Sequence, residues 1–155
     1  MKNLKNLLSK PWQPTPNWFV LAWSLVSLVG FLDATYLTVQ HYTGDNVNCN
    51  LFSGCEKVLA SPYAVIWGVP LALVGAVFYL LMLLLMVLHW EHEVRWALLL
   101  GMLGSVGAWV FSLVMIYLQL IVIESLCQYC LLSALIATML FILSLVWFRR
   151  QTVAE

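Results

Sequence analysis

The chain of 155 residues is 63% hydrophobic and only 9% charged, and its mean hydropathy is strongly positive. That much apolar surface excludes a water-soluble domain of this size, because so short a chain has too little interior to bury it. The formal net charge of zero says nothing about partners.

Four apolar segments are long enough to cross a bilayer as helices, at a rise of about 1.5 Å per residue against about 30 Å of hydrocarbon. They run from Asn17 to Tyr42, from Val69 to Trp90, from Val94 to Ile123 and from Leu126 to Phe148. The third is longer than spanning requires, so we expect it to tilt or to project beyond the bilayer. The sequence predicts a single all-α integral membrane domain over residues 1–155, built as a bundle of four transmembrane helices.

The basic residues indicate the orientation of this bundle, since Lys and Arg beside transmembrane segments tend to stay on the cytoplasmic side. Only Lys57 lies on the side opposite to the other six. This pattern places both termini in the cytoplasm and the loop 43–68 outside, where disulfides form and persist. We expect a cell inner membrane with the active face toward the periplasm, and a eukaryotic lumen is the alternative. The six cations are Lys2, Lys5, Lys10, Arg95, Arg149 and Arg150.

The outer loop, residues 43–68, changes from polar to apolar along its length. Cys49 and Cys55 lie in its first half, which is rich in turn-forming residues. The stretch from Glu56 to Trp67 is mostly apolar but too short to span, and Pro62 interrupts it. It is predicted to lie as a short amphipathic helix at the membrane surface, where it could cap the bundle.

The other two cysteines, Cys127 and Cys130, form a C-x-x-C pair at the start of the fourth segment. Free N–H groups and the helix dipole stabilise a thiolate at a helix N-terminus, so one of these sulfurs should ionise more easily than an ordinary cysteine. The spacing also lets the two sulfurs approach bonding distance. With Cys49 and Cys55 on the same face, the four thiols predict a redox relay that works by thiol–disulfide exchange.

Two other uses of four cysteines stay open at this point. They could form static disulfides, although a disulfide within a C-x-x-C closes a very short loop and is more often reactive than stabilising. They could instead bind zinc, although an oxidising exterior favours disulfides over bound metal. Either use would make the chain a small membrane scaffold or metal-binding protein. We expect the relay and no metal site.

Asp33 is the only ionisable residue deep within a predicted span. An unpaired carboxylate there is costly, so its side chain should face the bundle interior and be hydrogen-bonded or protonated. Structural pairing and a part in proton handling or site geometry both stay open. Tyr117, near the outer end of the third segment, could line an aromatic pocket beside the thiols.

Taken together, several segments resemble the vitamin K epoxide reductase family, in order and spacing and over nearly the whole chain. The chain resembles a stand-alone bacterial member, because no thioredoxin-like domain follows the fourth segment, as it does in many bacterial members. The DsbB type of enzyme also has four spans and two cysteine pairs, but its C-x-x-C belongs to the first outer loop. The matching segments are Asp33-Ala34-Thr35-Tyr36-Leu37-Thr38, Cys49 and Cys55, Ser61, Gly68-Val69-Pro70 and Cys127-Gln-Tyr-Cys130.

The resemblance implies a membrane thiol–disulfide oxidoreductase that supports disulfide bond formation. Cys49 would exchange disulfides with an extracytoplasmic thioredoxin-like partner of the DsbA type, and Cys55 would pass electrons to Cys127. Cys130 would face a quinone of the ubiquinone, menaquinone or vitamin K type, held beneath a loop helix that carries Ser61. Membrane lipid is a further expected partner, and nucleic acid is not. The expected quinone pocket consists of Cys130, Ser61, Tyr117 and Asp33.

Overall fold

The structure, a computed structural model, describes residues 14–44, 47, 49 and 54–153. Four long helices dominate the fold, and each is long and apolar enough to cross a membrane. Hydrocarbon offers no hydrogen-bond partners, so apolar runs of this length satisfy their backbone groups within helices. The predicted all-α membrane bundle is confirmed. The helices are α1 (Asn17–Thr43), the short α2 (Cys55–Leu59), α3 (Leu71–His92), α4 (Arg95–Tyr117) and α5 (Gln128–Val153).

The ends of the helices determine how the chain runs up and down the bundle. α1 ends at Gly44, whose positive φ of 72° lets its N–H donate to the carbonyl of Gln40 at 3.1 Å. Only Glu93 and Val94 separate α3 from α4, so these two helices form a tight antiparallel hairpin. Both longer connections, residues 44–70 and 123–127, therefore lie at the same end of the bundle. We call this end the outer end.

Helix α1 packs most extensively on α3, and α5 packs on both α1 and α4. The contact between α1 and α3 depends on Gly30, because a Cβ atom there would lie 2.7 Å from the Tyr79 ring. The hydroxyl of Tyr79 in turn donates to the Ser133 carbonyl at 2.9 Å, which ties α3 to α5. Gly30 thus allows close packing of α1 on α3 in this region.

The connection between α1 and α3, which we call the outer connection, contains more than the single capping helix that was predicted. After α2, a 3-10 turn over Pro62–Ala64 leads into a two-stranded hairpin of β1 (Val65–Ile66) and β2 (Val69–Pro70). Val69 and Pro70 were predicted to open the second span, but they pair with β1 instead. Trp67 and Gly68 form the hairpin turn, both at positive φ as tight hairpins require, and Trp67 is fully exposed.

Helix α4 continues beyond its last α-helical residue. It continues as a π-helical turn over Leu118–Val122, closed by a bond from the Ile123 N–H to the Leu118 carbonyl at 2.9 Å. This turn accounts for the extra length predicted for the third span. Single π-helical turns are frequent at functional sites, and this one lies at the outer end beside the C-x-x-C pair.

Candidate active site

The loop cysteines, Cys49 and Cys55, are joined by a disulfide, with Cα atoms 6.3 Å apart. Cys49 is partly exposed, whereas Cys55 begins α2 and is 1% exposed. A thiolate that arrives from water can therefore reach Cys49, while Cys55 faces the bundle. Among the described residues, no group of three or more His, Cys, Asp or Glu is placed to hold a metal ion.

Gly54 brings this disulfide against the turn that precedes Cys127. A Cβ atom at residue 54 would lie 2.9 Å from the carbonyl oxygen of Leu126 and 3.0 Å from its nitrogen, so a side chain there would collide with backbone. The close approach places Cys55, Val58 and Cys127 in one small buried cluster at the outer end. The two cysteine pairs thus meet through Cys55 and Cys127.

Cys127 is the N-terminal cap of α5, since its carbonyl accepts the Leu131 N–H at 3.0 Å. The Cys130 thiol donates a hydrogen bond to its sulfur, and the backbone N–H groups of Tyr129 and Cys130 point at the same atom. Led by the Cys130 thiol, these bonds outweigh burial and lower the pKa of Cys127 to about 7. This direction agrees with the prediction that one sulfur of the pair ionises easily.

Gln119, which the sequence analysis missed, holds the turn before Cys127 in place. It lies in the π-helical turn and is only 3% exposed. Its side-chain oxygen accepts the Cys127 N–H at 3.0 Å, and its backbone carbonyl accepts the Ser125 N–H at 3.0 Å. A lone amide side chain within an apolar span is a signal that could have identified it, because polar groups there usually serve a site.

A cavity of about 460 Å³ lies between the four long helices, beneath the outer connection. Its lining is mostly apolar, and it includes three of the predicted pocket residues, Asp33, Ser61 and Cys130. Cys127 does not line it. The two cysteines of the C-x-x-C therefore differ in their surroundings: Cys127 lies within the buried cluster beside Cys55, whereas Cys130 packs against that cluster and also lines the cavity.

Two of the predicted pocket residues differ in detail from expectation. Tyr117 does not line the cavity, and 59% of its side chain is exposed, because its position on α4 turns it away from the bundle. Ser61 lies beyond the end of α2 rather than within a loop helix. Its hydroxyl donates to the Val58 carbonyl at 2.6 Å, so toward a ligand it can act only as an acceptor.

The order of the cysteine pairs along a four-helix bundle can be compared with known proteins. A family model described as the vitamin K epoxide reductase family matches residues 21–145 of this chain. The chain belongs to that family. The match includes the four cysteines, Asp33, Ser61 and Gln119.

One curated relative of this vitamin K epoxide reductase family member is the thiol-disulfide oxidoreductase LTO1 of Arabidopsis thaliana. The two are 47% identical over 49 residues. This segment is 31% of the present chain and 13% of the relative, so the comparison covers a small part of a longer protein.

The lowered pKa of Cys127 predicts how the reduced pair of this family member titrates. With Cys49 and Cys55 replaced by alanine, the ultraviolet absorbance of the thiolate should rise with a midpoint near pH 7, so Cys127 is ionised above this pH and protonated below it. Cys130→Ala removes the main hydrogen bond and should move the midpoint up toward about 8.5. A midpoint that Cys130→Ala leaves unchanged would contradict this account of the thiolate.

Proposed function

We propose that the chain is a membrane thiol–disulfide oxidoreductase that passes electrons from a partner protein, through its two cysteine pairs, to a quinone. The observation that carries the proposal is the position of the C-x-x-C between the loop disulfide and the cavity. Cys127 is buried beside Cys55, and Cys130 lines the cavity. Membership of the vitamin K epoxide reductase family and the named activity of the Arabidopsis relative support this class of reaction.

The first half of the reaction takes place at the loop. A partner thiolate attacks the partly exposed Cys49, and the second partner thiol resolves the mixed disulfide, which leaves Cys49 and Cys55 reduced and the partner oxidised. Cys55 then attacks Cys127 of the oxidised C-x-x-C, and Cys49 resolves this bond. Each exchange breaks one S–S bond and forms another, so two electrons arrive at Cys127 and Cys130.

The second half of the reaction takes place at the cavity. The residues present fit a quinone ring, because the volume of about 460 Å³ is in the range of small-molecule sites and the walls are mostly apolar. The Asp33 Oδ2 atom is buried there without a hydrogen-bond partner. A bound quinone supplies an acceptor for two electrons and two protons. Cys127 and Cys130 then form their disulfide, and the pair is ready for another exchange with Cys55.

The distribution of charge supports an orientation with the thiols on the oxidising side. Arg95 lies at the α3–α4 hairpin and Arg149 and Arg150 lie near the end of α5, at the end of the bundle opposite to the cysteines. The basic residues before α1 lie outside the described residues. We propose a DsbA-type thioredoxin-like partner in the periplasm, or its counterpart in a lumen, with both termini of the chain on the cytoplasmic side.

A coupled assay tests the proposed function. The purified chain in lipid nanodiscs receives a fully reduced DsbA-type protein and a soluble ubiquinone or menaquinone analogue. We expect one quinone to be reduced for each partner dithiol that is oxidised, measured as the fall in quinone absorbance and by thiol alkylation of the partner. A chain that consumes no quinone in this assay, and that instead binds zinc stoichiometrically, would be a metal-binding membrane protein.

A further inference from the structure

Asp33 brings a carboxyl group into the apolar cavity that Cys130 lines. Its side chain is 8% exposed, and its Oδ2 atom has no hydrogen-bond partner. A buried polar atom without a partner costs free energy, so its presence on a residue that lines the cavity points to a ligand that completes its hydrogen bonding. An ionised carboxylate would be more costly still in these surroundings, which favours the protonated acid.

Three other polar side chains that line the cavity already have partners within the protein. Ser61 donates its hydroxyl proton to the Val58 carbonyl, and the Tyr79 hydroxyl is bonded to Ser133. The Gln119 side-chain oxygen accepts the Cys127 N–H. Asp33 differs from these groups because one of its carboxyl oxygens has no hydrogen-bond partner.

The reduced cysteine pair supplies only one of the two protons that reduction of a quinone requires. With Cys127 as a thiolate, the pair carries one S–H proton, on Cys130. Conversion of a quinone to a hydroquinone takes two electrons and two protons. The Asp33 carboxyl lines the same cavity as Cys130, so both groups face the space in which the ring would bind.

We propose that Asp33 donates the second proton when the C-x-x-C pair reduces the quinone, an inference that rests on the proposed function. In this step the Cys130 S–H bond breaks and the S–S bond between Cys127 and Cys130 forms. Two electrons leave the sulfurs for the ring. Cys130 supplies one proton and Asp33 supplies the other, which leaves a carboxylate that regains its proton from the outer aqueous side.

Other titratable groups also line the cavity, so a test must distinguish Asp33 from them. His41 lies eight residues beyond Asp33 on α1, toward the outer end, and Tyr63 lies in the outer connection. Tyr79 reaches in from α3 and Cys130 from α5. Of these groups, His41 and Tyr63 are exposed at the outer end, whereas Tyr79 is buried. A test of Asp33 therefore needs a signal that belongs to a carboxyl group.

The test uses Asp33→Asn, which keeps the shape of the side chain but has no ionisable proton. Quinone reduction by the reduced chain should be about 100-fold slower in this variant, the usual effect of removing a general acid. Asp33→Glu should recover a substantial part of the rate. Glu56→Gln, which removes an exposed carboxyl on α2, is the matched control and should reduce quinone as the wild type does.

Infrared difference spectroscopy gives a second readout that does not depend on the rate. When the wild type reduces the bound quinone in a single, time-resolved turnover, the band of a protonated carboxyl should disappear before Asp33 regains its proton, and Glu56→Gln should show the same change. Asp33→Asn should lack it. The wild-type spectrum needs no variant, so it decides the question even if Asp33→Asn folds poorly.

The outcomes separate this inference from the proposed function. A wild type that reduces quinone without any loss of the carboxyl band would overturn the role of Asp33 alone, as would an Asp33→Asn variant with the wild-type rate. A wild type that reduces no quinone would overturn both proposals.

Discussion

Cys130→Ser is expected to reduce partner-driven quinone reduction to the rate measured without the protein. Cys130 is the sulfur of the C-x-x-C that lines the cavity, and a serine hydroxyl can neither form a disulfide with Cys127 nor deliver electrons. The measurement is the steady-state fall in quinone absorbance with a fully reduced partner. Undiminished turnover in this variant would contradict the proposed electron route.

The same variant should also trap the bond between the two cysteine pairs. Without Cys130, the Cys127 thiolate can still attack the loop disulfide at Cys55 and release Cys49 as a free thiol. Mass spectrometry of the digested variant should therefore find a peptide cross-link between Cys55 and Cys127. Ser133→Ala, a cavity-lining change one turn later on α5, is the control and should show no such cross-link.

Gly54→Ala is expected to slow electron transfer between the pairs while leaving each pair able to react. The added Cβ atom would lie 2.9 Å from the Leu126 carbonyl oxygen, and backbone cannot move aside as a side-chain tip can. Overpacking of this kind typically costs about 1–3 kcal/mol. If that cost opposes the contact of Cys55 with Cys127, partner-driven quinone reduction should fall between about 5-fold and about 150-fold.

A small membrane-permeant dithiol that attacks Cys130, the partly exposed sulfur of the C-x-x-C, should bypass this defect. With such a reductant in place of the protein partner, Gly54→Ala should reduce quinone at close to the wild-type rate. Gly101→Ala is the matched control, since its Cβ atom would lie 3.4 Å from the Trp23 ring, an ordinary contact. The φ of Gly54 is −94°, so the contact alone accounts for the effect. Equal partner-driven rates in Gly54→Ala and the wild type would contradict the role assigned to Gly54.

The bundle could be predicted from the sequence because the bilayer leaves few alternatives for long apolar runs. Each run becomes a helix. Because the C-x-x-C stands at the start of the fourth run, it lies near a helix N-terminus whichever residue begins that helix. The start of α3 was placed two residues early, because Val69 and Pro70 are as apolar as the span that follows them. Hydropathy does not distinguish a short apolar strand from the first turn of a helix.

The parts of the site that could not be predicted depend on contacts between distant segments. Gly54 is one of several small residues in a polar loop, and its role follows only from its contact with Leu126. Gln119 faces inward because a π-helical turn changes the direction of the side chains, which the period of the sequence does not reveal. Tyr117 was placed in the pocket by its closeness to the outer end, but depth along a helix does not determine which face a side chain occupies.

The complete burial of Cys127 has a consequence for which thiols in the cell could exchange electrons with the chain. No part of this side chain is exposed, although it lies between a loop that meets water and a cavity within the membrane. A small soluble thiol such as glutathione could then react with Cys49 but could not bypass the loop cysteines by attacking Cys127 directly. The aqueous thiol pool and the membrane quinone pool could differ in redox potential, with electrons crossing between them only at the pace of the Cys55–Cys127 exchange.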